Sequence, residues 1–274
     1  MRSDARRGPA FYLLAAFFVL FVLFLYGPLS TIVILSFQGP DGGLTFPMNG
    51  ASLTWFARLF EKQAVGDFGG SFLRSFILGV MVMVATVAAS LSAGLAFRRR
   101  FRGGTLLFYL TVASLIVPSI LISLGIGLGF QIAHIKPAWY SSAFGAHLTW
   151  TLPFGLLIMF AVLGRFNPAY EEAAYDLGAN KWQSLRHVII PILFPGIIAV
   201  ALFGFTLSYD EFPRSWLAVG SKNTLPIEIW TMTTNVTSPA LYALGTVTTV
   251  ISFTAIAIAL GSIAYIQRRR SRRG

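Results

Sequence analysis

The sequence contains no cysteine and few charged residues, and both shortages exclude whole classes of protein. Without cysteine the chain forms no disulfide, no thiolate nucleophile and no cysteine-based metal site. Only 11% of its 274 residues are charged, against roughly 25% in an average soluble domain. A globule in water needs more charge to cover its surface, and a disordered chain does not carry 55% hydrophobic residues. The composition therefore predicts a polytopic helical membrane protein.

Six uncharged stretches are long enough to cross a bilayer as helices, which takes about 20 residues each. They are residues 11–37, 75–97, 105–130, 142–164, 191–209 and 241–266. The first stretch is longer than the roughly 7–15 apolar residues of a signal peptide, so we expect it to be retained as a helix. We therefore predict an all-α membrane protein with six transmembrane helices.

Lysine and arginine fall mainly on one side of this predicted topology. If the N-terminus is cytoplasmic, the cytoplasmic segments hold 15 of the 21 Lys and Arg residues and 4 of the 10 acids, and the outer segments sum to zero net charge. Positive residues favour the cytoplasmic side of membrane proteins. The net charge of +11 is thus a topology signal that places both termini in the cytoplasm, and it does not predict a nucleic-acid partner.

The cytoplasmic segment 166–190 differs from the arginine clusters. Asn167 and Pro168 fit the cap and the first position of a helix, and Gly178 fits the left-handed position that ends one. Asn180 can cap a second short helix, which would run on to the next membrane entry. A solvated loop has no use for large apolar residues, and this one carries Tyr175, Leu177, Trp182 and Leu185. The pattern predicts a helix-turn-helix along the membrane that lies in a groove on a soluble partner.

The same segment carries the residues of a known motif. Its residues Glu172-Ala173-Ala174, Gly178, Val188 and Ile190-Pro191 match the spacing of E-A-A-x3-G-x9-I-x-L-P. This EAA motif is typical of binding-protein-dependent ABC importer permeases, which the chain resembles. Val188 and Ile190 replace the isoleucine and leucine of the pattern and keep its apolar character.

Three weaker matches narrow the resemblance to the second permease of the spermidine/putrescine subfamily. The segment Thr54-Trp55-Phe56 is similar to T-x-W-[FY] in that subfamily, and the segment from Leu207 to Phe212 is similar to L-S-x-D-[DE]. Thr224-Leu225-Pro226-Ile227, with Ile229-Trp230, resembles T-L-P-x-x-[IL]-[WY]. Permeases for iron, phosphonates and opines share parts of these motifs, so other cargoes remain open.

The resemblance implies a MetI-like type I permease fold in the bacterial inner membrane. It implies one permease domain over residues 1–274, with a peripheral first helix at 11–37 and a core at 71–266. The partners it implies are a second permease subunit in a heterodimer, two cytoplasmic ATPase subunits, an external substrate-binding protein and the lipid bilayer. The chain would be a transport subunit, not an enzyme, and would bind no cofactor, because ATP and Mg²⁺ would bind on the ATPases. The chain itself lacks the phosphate-loop motif of an ATPase.

The resemblance also assigns roles to residues of the 166–190 loop. Its first short helix would sit in a cleft on one ATPase and move with it. The candidate coupling residues are Glu171, Glu172, Ala173, Ala174, Asp176, Leu177, Gly178 and Ala179. We expect Glu172 to meet a basic residue of the ATPase; the alternative is that it only caps the helix dipole.

A polyamine passage should offer carboxylates and aromatic faces to ammonium groups. The candidates near the outer mouth are Phe205, Tyr209, Asp210 and Glu211. Alternatively, the two acids dock the binding protein or face solvent. His147 is the only histidine near the interior of a span, and we expect it to be a hydrogen-bonded structural residue.

Further expectations concern the first outer loop and the third span. Ser52 is predicted to cap a short surface helix with Trp55 at headgroup depth. Pro118 is predicted to kink the third span, and Gly125 and Gly129 to present one small face for a neighbouring helix.

Two other functional classes compete with an importer subunit. A secondary carrier needs charged groups at mid-depth in its spans, and the predicted spans contain none. A membrane-embedded enzyme needs a His, Asp and Glu cluster at one interface, and the acid pair at 210–211 has no base nearby in the sequence. Both alternatives are therefore less favoured than the ABC importer permease.

Overall fold

The computed structural model describes residues 8–59, 66–99, 101–235 and 238–271. The described residues form eleven α-helices and two isolated antiparallel bridges. The helices are α1 (Pro9–Leu35), α2 (Thr54–Arg58), α3 (Phe68–Phe97), α4 (Gly104–Ala113), α5 (Ser119–Ile132), α6 (Ser142–Leu163), α7 (Ala169–Asp176), α8 (Lys181–Ser184), α9 (Ile190–Tyr209), α10 (Leu225–Asn235) and α11 (Ala240–Ser271). The all-α prediction is confirmed. Several charges behind the predicted topology lie outside the described residues, namely Arg2, Asp4, Arg6, Arg7, Glu61, Lys62, Arg100, Arg272 and Arg273.

Four helical segments are long and apolar enough to cross a bilayer. They are α1, α3, α6 and the continuous segment Lys181–Tyr209, which contains α8 and α9. The helices α4 and α5 and the stretch Ala240–Thr254 of α11 are apolar but shorter. The count of six spans and the cytoplasmic position of the termini therefore remain predictions.

The predicted third span, residues 105–130, is divided into two helices. α4 ends at Ala113, and Pro118 is the cap from which α5 begins. Proline has no N–H to donate, and its ring clashes with the carbonyl four residues earlier, so the helix stops here instead of only bending.

The backbone at Leu217 approaches α5 closely at Gly127, and not at the predicted pair Gly125 and Gly129. A Cβ atom on Gly127 would lie 2.6 Å from the carbonyl oxygen of Leu217, whereas Gly125 and Gly129 have no described neighbour within 4 Å. The prediction that these two glycines form a contact face is therefore not met within the described part of the chain.

Contacts divide the chain into two compact units, Met1–Gly66 with Met232–Ile258, and Asp67–Thr231 with Ala259–Gly274. In the first unit the loop after α1 folds around the buried Gln38, whose Oε1 accepts a hydrogen bond from the Asn49 N–H at 2.8 Å. Trp55 is also buried, and its indole N–H donates to the carbonyl of Gly39 at 3.2 Å. The folded loop thus gives Trp55 both cover and an acceptor, and its position at headgroup depth stays a prediction.

The cap predicted for the short helix is displaced by one residue. Helix α2 is capped at Leu53, and Ser52 lies one residue before it. The Ser52 Oγ accepts a long hydrogen bond of 3.4 Å from the Thr54 N–H, so Ser52 still supports the start of the helix.

The core of the second unit is a bundle of α3, α6 and α9, in which α3 and α6 run parallel and α9 runs antiparallel to both. Small residues let the helices approach: a Cβ on Gly155 would lie 2.7 Å from Thr86 Cγ2, and one on Gly196 would lie 2.6 Å from Val162. Thr86 donates a buried hydrogen bond of 2.9 Å to Thr151 across the bundle. Such small-residue contacts and buried polar pairs are what hold membrane helices together.

The bundle has two ends that are used below. The Arg98 end holds the C-terminus of α3, the C-terminus of α6 and the start of α9, and the Arg74 end holds the N-terminus of α3 and the C-terminus of α9.

α8 continues into α9 through a π-helical turn, Leu185–Ile189. In this turn the Ile190 N–H donates to the carbonyl of Leu185, five residues back. The wider turn moves the backbone away from the ring of Pro191, which would otherwise press on the preceding turn. The second short helix thus reaches the predicted membrane entry and continues without a break into α9.

Candidate functional site

The predicted helix-turn-helix is present at the Arg98 end. Asn167 Oδ1 accepts from the Ala169 N–H at 3.0 Å and so supports the first turn of α7. Gly178 has φ +84°, and its N–H and that of Ala179 donate to the carbonyls of Tyr175 and Ala174 at 2.9 and 3.0 Å. This pair of bonds is a Schellman motif, which needs a left-handed residue at the position of Gly178.

The second helix begins with a reciprocal pair of hydrogen bonds. Asn180 Oδ1 accepts from the Gln183 N–H at 2.9 Å, and Gln183 Oε1 accepts from the Asn180 N–H at 2.8 Å. This is a capping box, which satisfies two orphan donors at a helix N-terminus. The turn between α7 and α8 is therefore fixed on both sides by local hydrogen bonds.

Large apolar side chains project from this turn. Leu177 is 90% exposed and Trp182 is 64% exposed, and Tyr170 and Tyr175 are exposed as well. We call these four residues the exposed apolar patch. Single exposed apolar residues are common on surfaces, but several large ones in one short segment are typical of interaction surfaces.

The two glutamates of α7 have different environments. Glu171 Oε2 lies 2.8 Å from Arg98 Nη2, and its Oε1 accepts from the Tyr175 hydroxyl at 2.9 Å. Burial acts to raise the pKa of Glu171, but the hydrogen bonds from Arg98 and Tyr175 outweigh it, so the pKa lies below its ordinary value. Glu172 is exposed and makes no ion pair with any residue that the structure describes. Glu172 is thus the one of the two that is available to a partner, while Glu171 is engaged within the chain.

At the Arg74 end, two predicted pathway residues meet two that sequence reasoning missed. The rings of Phe205 and Tyr209 stack at a centroid distance of 5.7 Å. Phe76 meets Phe205 edge-on at 5.7 Å, and Phe72 meets Tyr209 edge-on at 6.3 Å. We call these four residues the aromatic cluster. Phe72 and Phe76 are one helical turn apart on α3, and this spacing could have predicted from the sequence that they share one face of the helix.

The two predicted carboxylates beyond the aromatic cluster are not equivalent. Asp210 is exposed, whereas Glu211 is buried and its Oε1 accepts from the Arg214 N–H at 2.9 Å. Burial raises the pKa of Glu211, and the hydrogen bond and charge of Arg214 only partly oppose this. The geometry makes Asp210 the carboxylate that an external cation can reach, and the pathway assignment of both stays a prediction.

Arg214 is itself held on three sides. Its guanidinium lies over the ring of Trp150 at 4.8 Å, its Nε donates to Thr149 Oγ1 at 3.2 Å, and its Nη1 is 3.8 Å from Glu211. Only 3% of Arg214 is exposed. Through Thr149 and Trp150, Arg214 fastens the segment after α9 to α6.

His147 is a hydrogen-bonded structural residue, as predicted. Its Nδ1 and Nε2 each lie 2.8 Å from a serine hydroxyl, Ser208 and Ser215 respectively. Because the Ser215 hydroxyl donates to the carbonyl of Glu211 at 2.8 Å, it accepts from Nε2–H. His147 therefore joins α6, α9 and the segment after α9 in one hydrogen-bond network.

Comparison with known proteins identifies relatives over most of the chain. The family model described as binding-protein-dependent transport system inner membrane component matches residues 82–273. A spermidine/putrescine transport system permease protein, PotC of Haemophilus influenzae, is 28% identical over 254 residues, which is 90% of this chain and 95% of the relative. The putrescine transport system permease protein PotI of Escherichia coli K12 is 27% identical, over 81% of this chain and 80% of the relative.

A solved structure shares the fold. It is the crystal structure of a bacterial ABC transporter involved in the import of the acidic polysaccharide alginate. One of its chains superposes with a TM-score of 0.67 at 15% identity, over 97% of this chain and 98% of that chain.

Proposed function

The chain belongs to the family of inner-membrane components of binding-protein-dependent transport systems, and from that premise we propose that it carries a polyamine or a similar organic cation. It is a permease subunit of an ABC importer and not an enzyme. We propose that it forms half of the substrate pathway beside a second permease subunit. Two ATPase subunits on the cytoplasmic side and an external binding protein complete the importer, in a bacterial inner membrane that the chain crosses six times with both termini inside.

The exposed apolar patch is the observation that carries the coupling role. We infer that α7 sits in a cleft on one ATPase subunit, with Leu177 and Trp182 buried by the partner and Glu172 facing a basic residue of it. The candidate residues Ala173, Ala174, Asp176, Gly178 and Ala179 shape the helix and its turn around this contact. Because α8 continues into α9, closure of the ATPases on ATP would turn the bundle as a rigid body between inward- and outward-open states.

The aromatic cluster and Asp210 support the choice of cargo. Ring faces attract ammonium groups, and Phe76 is 45% exposed beside Phe205. The carboxylate of Asp210 directly follows Tyr209 in the chain and is exposed. A polyamine needs such alternating apolar and anionic groups along its length, and the names of the relatives point to the same class of cargo.

Reconstitution tests the proposal as a whole. The chain is co-expressed with the products of its neighbouring genes, purified through a tag on this chain, and placed in vesicles with the external binding protein. We expect an ATPase to co-elute and labelled spermidine to enter only with ATP. Uptake that persists without any ATPase would support a secondary carrier instead, and ATP-driven uptake of a different solute would overturn the cargo.

Replacing Asp210 with asparagine should lower spermidine uptake about two- to tenfold, because one polar contact typically contributes about 0.5–1.5 kcal/mol net. ATP hydrolysis stimulated by the binding protein should persist. Asp41→Asn is the matched control, since Asp41 is another exposed aspartate. If Asp210→Asn instead weakens the affinity of the binding protein for the permease, the docking alternative for Asp210 is correct.

Replacing Gly178 with alanine should weaken coupling without preventing insertion. No described atom lies within 4 Å of the added Cβ, so the cost is the left-handed backbone, about 1–2 kcal/mol for a non-glycine residue. We expect uptake per ATP hydrolysed to fall about threefold or more. Gly103→Ala imposes the same strain at φ +86° in a different loop and should leave this ratio unchanged. Equal behaviour of the two variants would refute the role of the Gly178 turn.

A further inference from the structure

An ion pair joins the coupling helix α7 to the end of α3. Arg98 is the C-cap residue of α3, and its Nη2 lies 2.8 Å from Glu171 Oε2. The guanidinium also lies over the ring of Phe166 at 5.1 Å. Tyr175 holds the other carboxylate oxygen of Glu171 at 2.9 Å. Both partners of the ion pair are thus fixed by a second contact, which favours one geometry over many.

The ion pair spans a groove between α3 and α7, next to an apolar cluster in which Leu91 and Leu95 of α3 pack against Ile189 and Leu193. A groove of about 460 Å³ opens between the end of α3 and the α7–α8 turn, with Leu95, Leu185 and Ile189 among its lining residues. The chain connects α7 to α6 on one side and to α8 and α9 on the other, but α3 lies far from it in sequence. Among the residues that the structure describes, Arg98–Glu171 is the only ion pair between α3 and α7.

α3 carries half of the aromatic cluster at its other end. Phe72 and Phe76 lie on α3, and their partners Tyr209 and Phe205 lie on α9. α3 also packs along α9 in the bundle, and a displacement of α7 that was transmitted through α9 alone would strain this packing and the two halves of the cluster. A displacement that reached α3 as well would move both halves together.

We propose that Arg98 is a positioning residue that ties α3 to α7, so that movement of the ATPase reaches both helices of the aromatic cluster. The proposal rests on the proposed function, and it reassigns Glu171 from an ATPase contact to an internal one. Glu172, which is exposed, remains the glutamate that meets the partner. The ion pair then determines how much substrate moves for each ATP hydrolysed, and contributes little to folding because it is partly exposed.

The test measures spermidine transported per ATP hydrolysed by the complete importer in vesicles. Arg98→Gln and Glu171→Gln should each lower this ratio about three- to tenfold, while ATP hydrolysis is still stimulated by the binding protein. The exchanged pair Arg98→Glu with Glu171→Arg should recover most of the loss, which a docking role of either residue alone would not predict. Arg102→Gln is the control, because Arg102 is an exposed arginine of the same loop without a described ion pair.

The outcomes distinguish a failure of the ion-pair proposal from a failure of the proposed function. An unchanged ratio in Arg98→Gln overturns the proposal, and so does an exchanged pair that is no better than either single variant. If Arg98→Gln fails to assemble, Glu171→Gln decides in its place, because it also removes the ion pair, and a normal ratio in Glu171→Gln overturns the proposal. Absence of ATP-dependent uptake in the unmodified importer is a failure of the proposed function and not of the ion pair.

Discussion

Replacing Leu177 with aspartate is expected to abolish ATP-driven uptake in a protein that still folds and inserts. Leu177 is 90% exposed, so the substitution removes no packing within the chain. In the proposed complex the same position is enclosed by an apolar cleft of the ATPase, where an unpaired carboxylate is costly. Anchor residues of interfaces contribute about 2–4 kcal/mol, so the affinity for the ATPase should fall about 30-fold or more.

Co-elution of the ATPase with the tagged permease measures this loss directly. Leu53→Asp is the matched control, because Leu53 is also an exposed leucine, at the start of α2. The control should bring down as much ATPase as the unmodified chain. An ATPase that co-elutes equally with Leu177→Asp, and still hydrolyses ATP in response to the binding protein, would show that the exposed apolar patch lies outside the interface.

The parts of the site that were predictable from sequence are those determined by local chemistry. The turn between α7 and α8 depends on Asn167, Gly178 and Asn180, whose preferences act over three or four residues. The fixed spacing of the EAA motif then predicted, by resemblance, that this turn couples the chain to an ATPase. The same local logic predicted a disturbance at Pro118, although it expected a kink and the helix is interrupted instead.

The parts that were missed depend on contacts between distant residues. Arg98 and Glu171 are 73 positions apart, and the arginine cluster was interpreted only as a topology signal. The burial of Trp55 within the loop around Gln38 was likewise not visible in the pattern. Asp210 and Glu211 are adjacent and both carry a carboxylate, yet Asp210 is exposed and Glu211 is buried. Only the backbone path after α9 distinguishes them.

Replacing Arg214 with methionine is expected to give the largest loss of stability in the second unit. The change leaves the buried carboxylate of Glu211 without its cation, and breaking a buried pair in this way costs about 3–5 kcal/mol. The loss of the Thr149 and Trp150 contacts adds to it. Thermal unfolding of the detergent-solubilised protein measures the effect, and uptake should fall with it because the segment after α9 loses its attachment to α6.

Two controls distinguish the effect of leaving a buried carboxylate unpaired from the effect of losing an arginine side chain. Arg58→Met removes an arginine that lies over Trp55 at 4.7 Å, has no described ion pair, and should cost only about 1 kcal/mol or less. Adding Glu211→Gln to Arg214→Met removes the unpaired charge, while the glutamine oxygen still accepts from the backbone, so the double variant should be more stable than the single one.

The pH dependence of the single variant follows from the raised pKa of Glu211. A carboxyl whose folded pKa is raised favours the folded state when protonated, and this contribution is lost as the pH rises through the folded pKa. Without Arg214 the opposing charge is gone, so the raised pKa moves further up. The stability deficit of Arg214→Met should therefore be largest at neutral pH and shrink as the pH is lowered, relative to the double variant at each pH. A deficit that is independent of pH would show that lost packing on Trp150, and not the buried carboxylate, determines what Arg214 contributes.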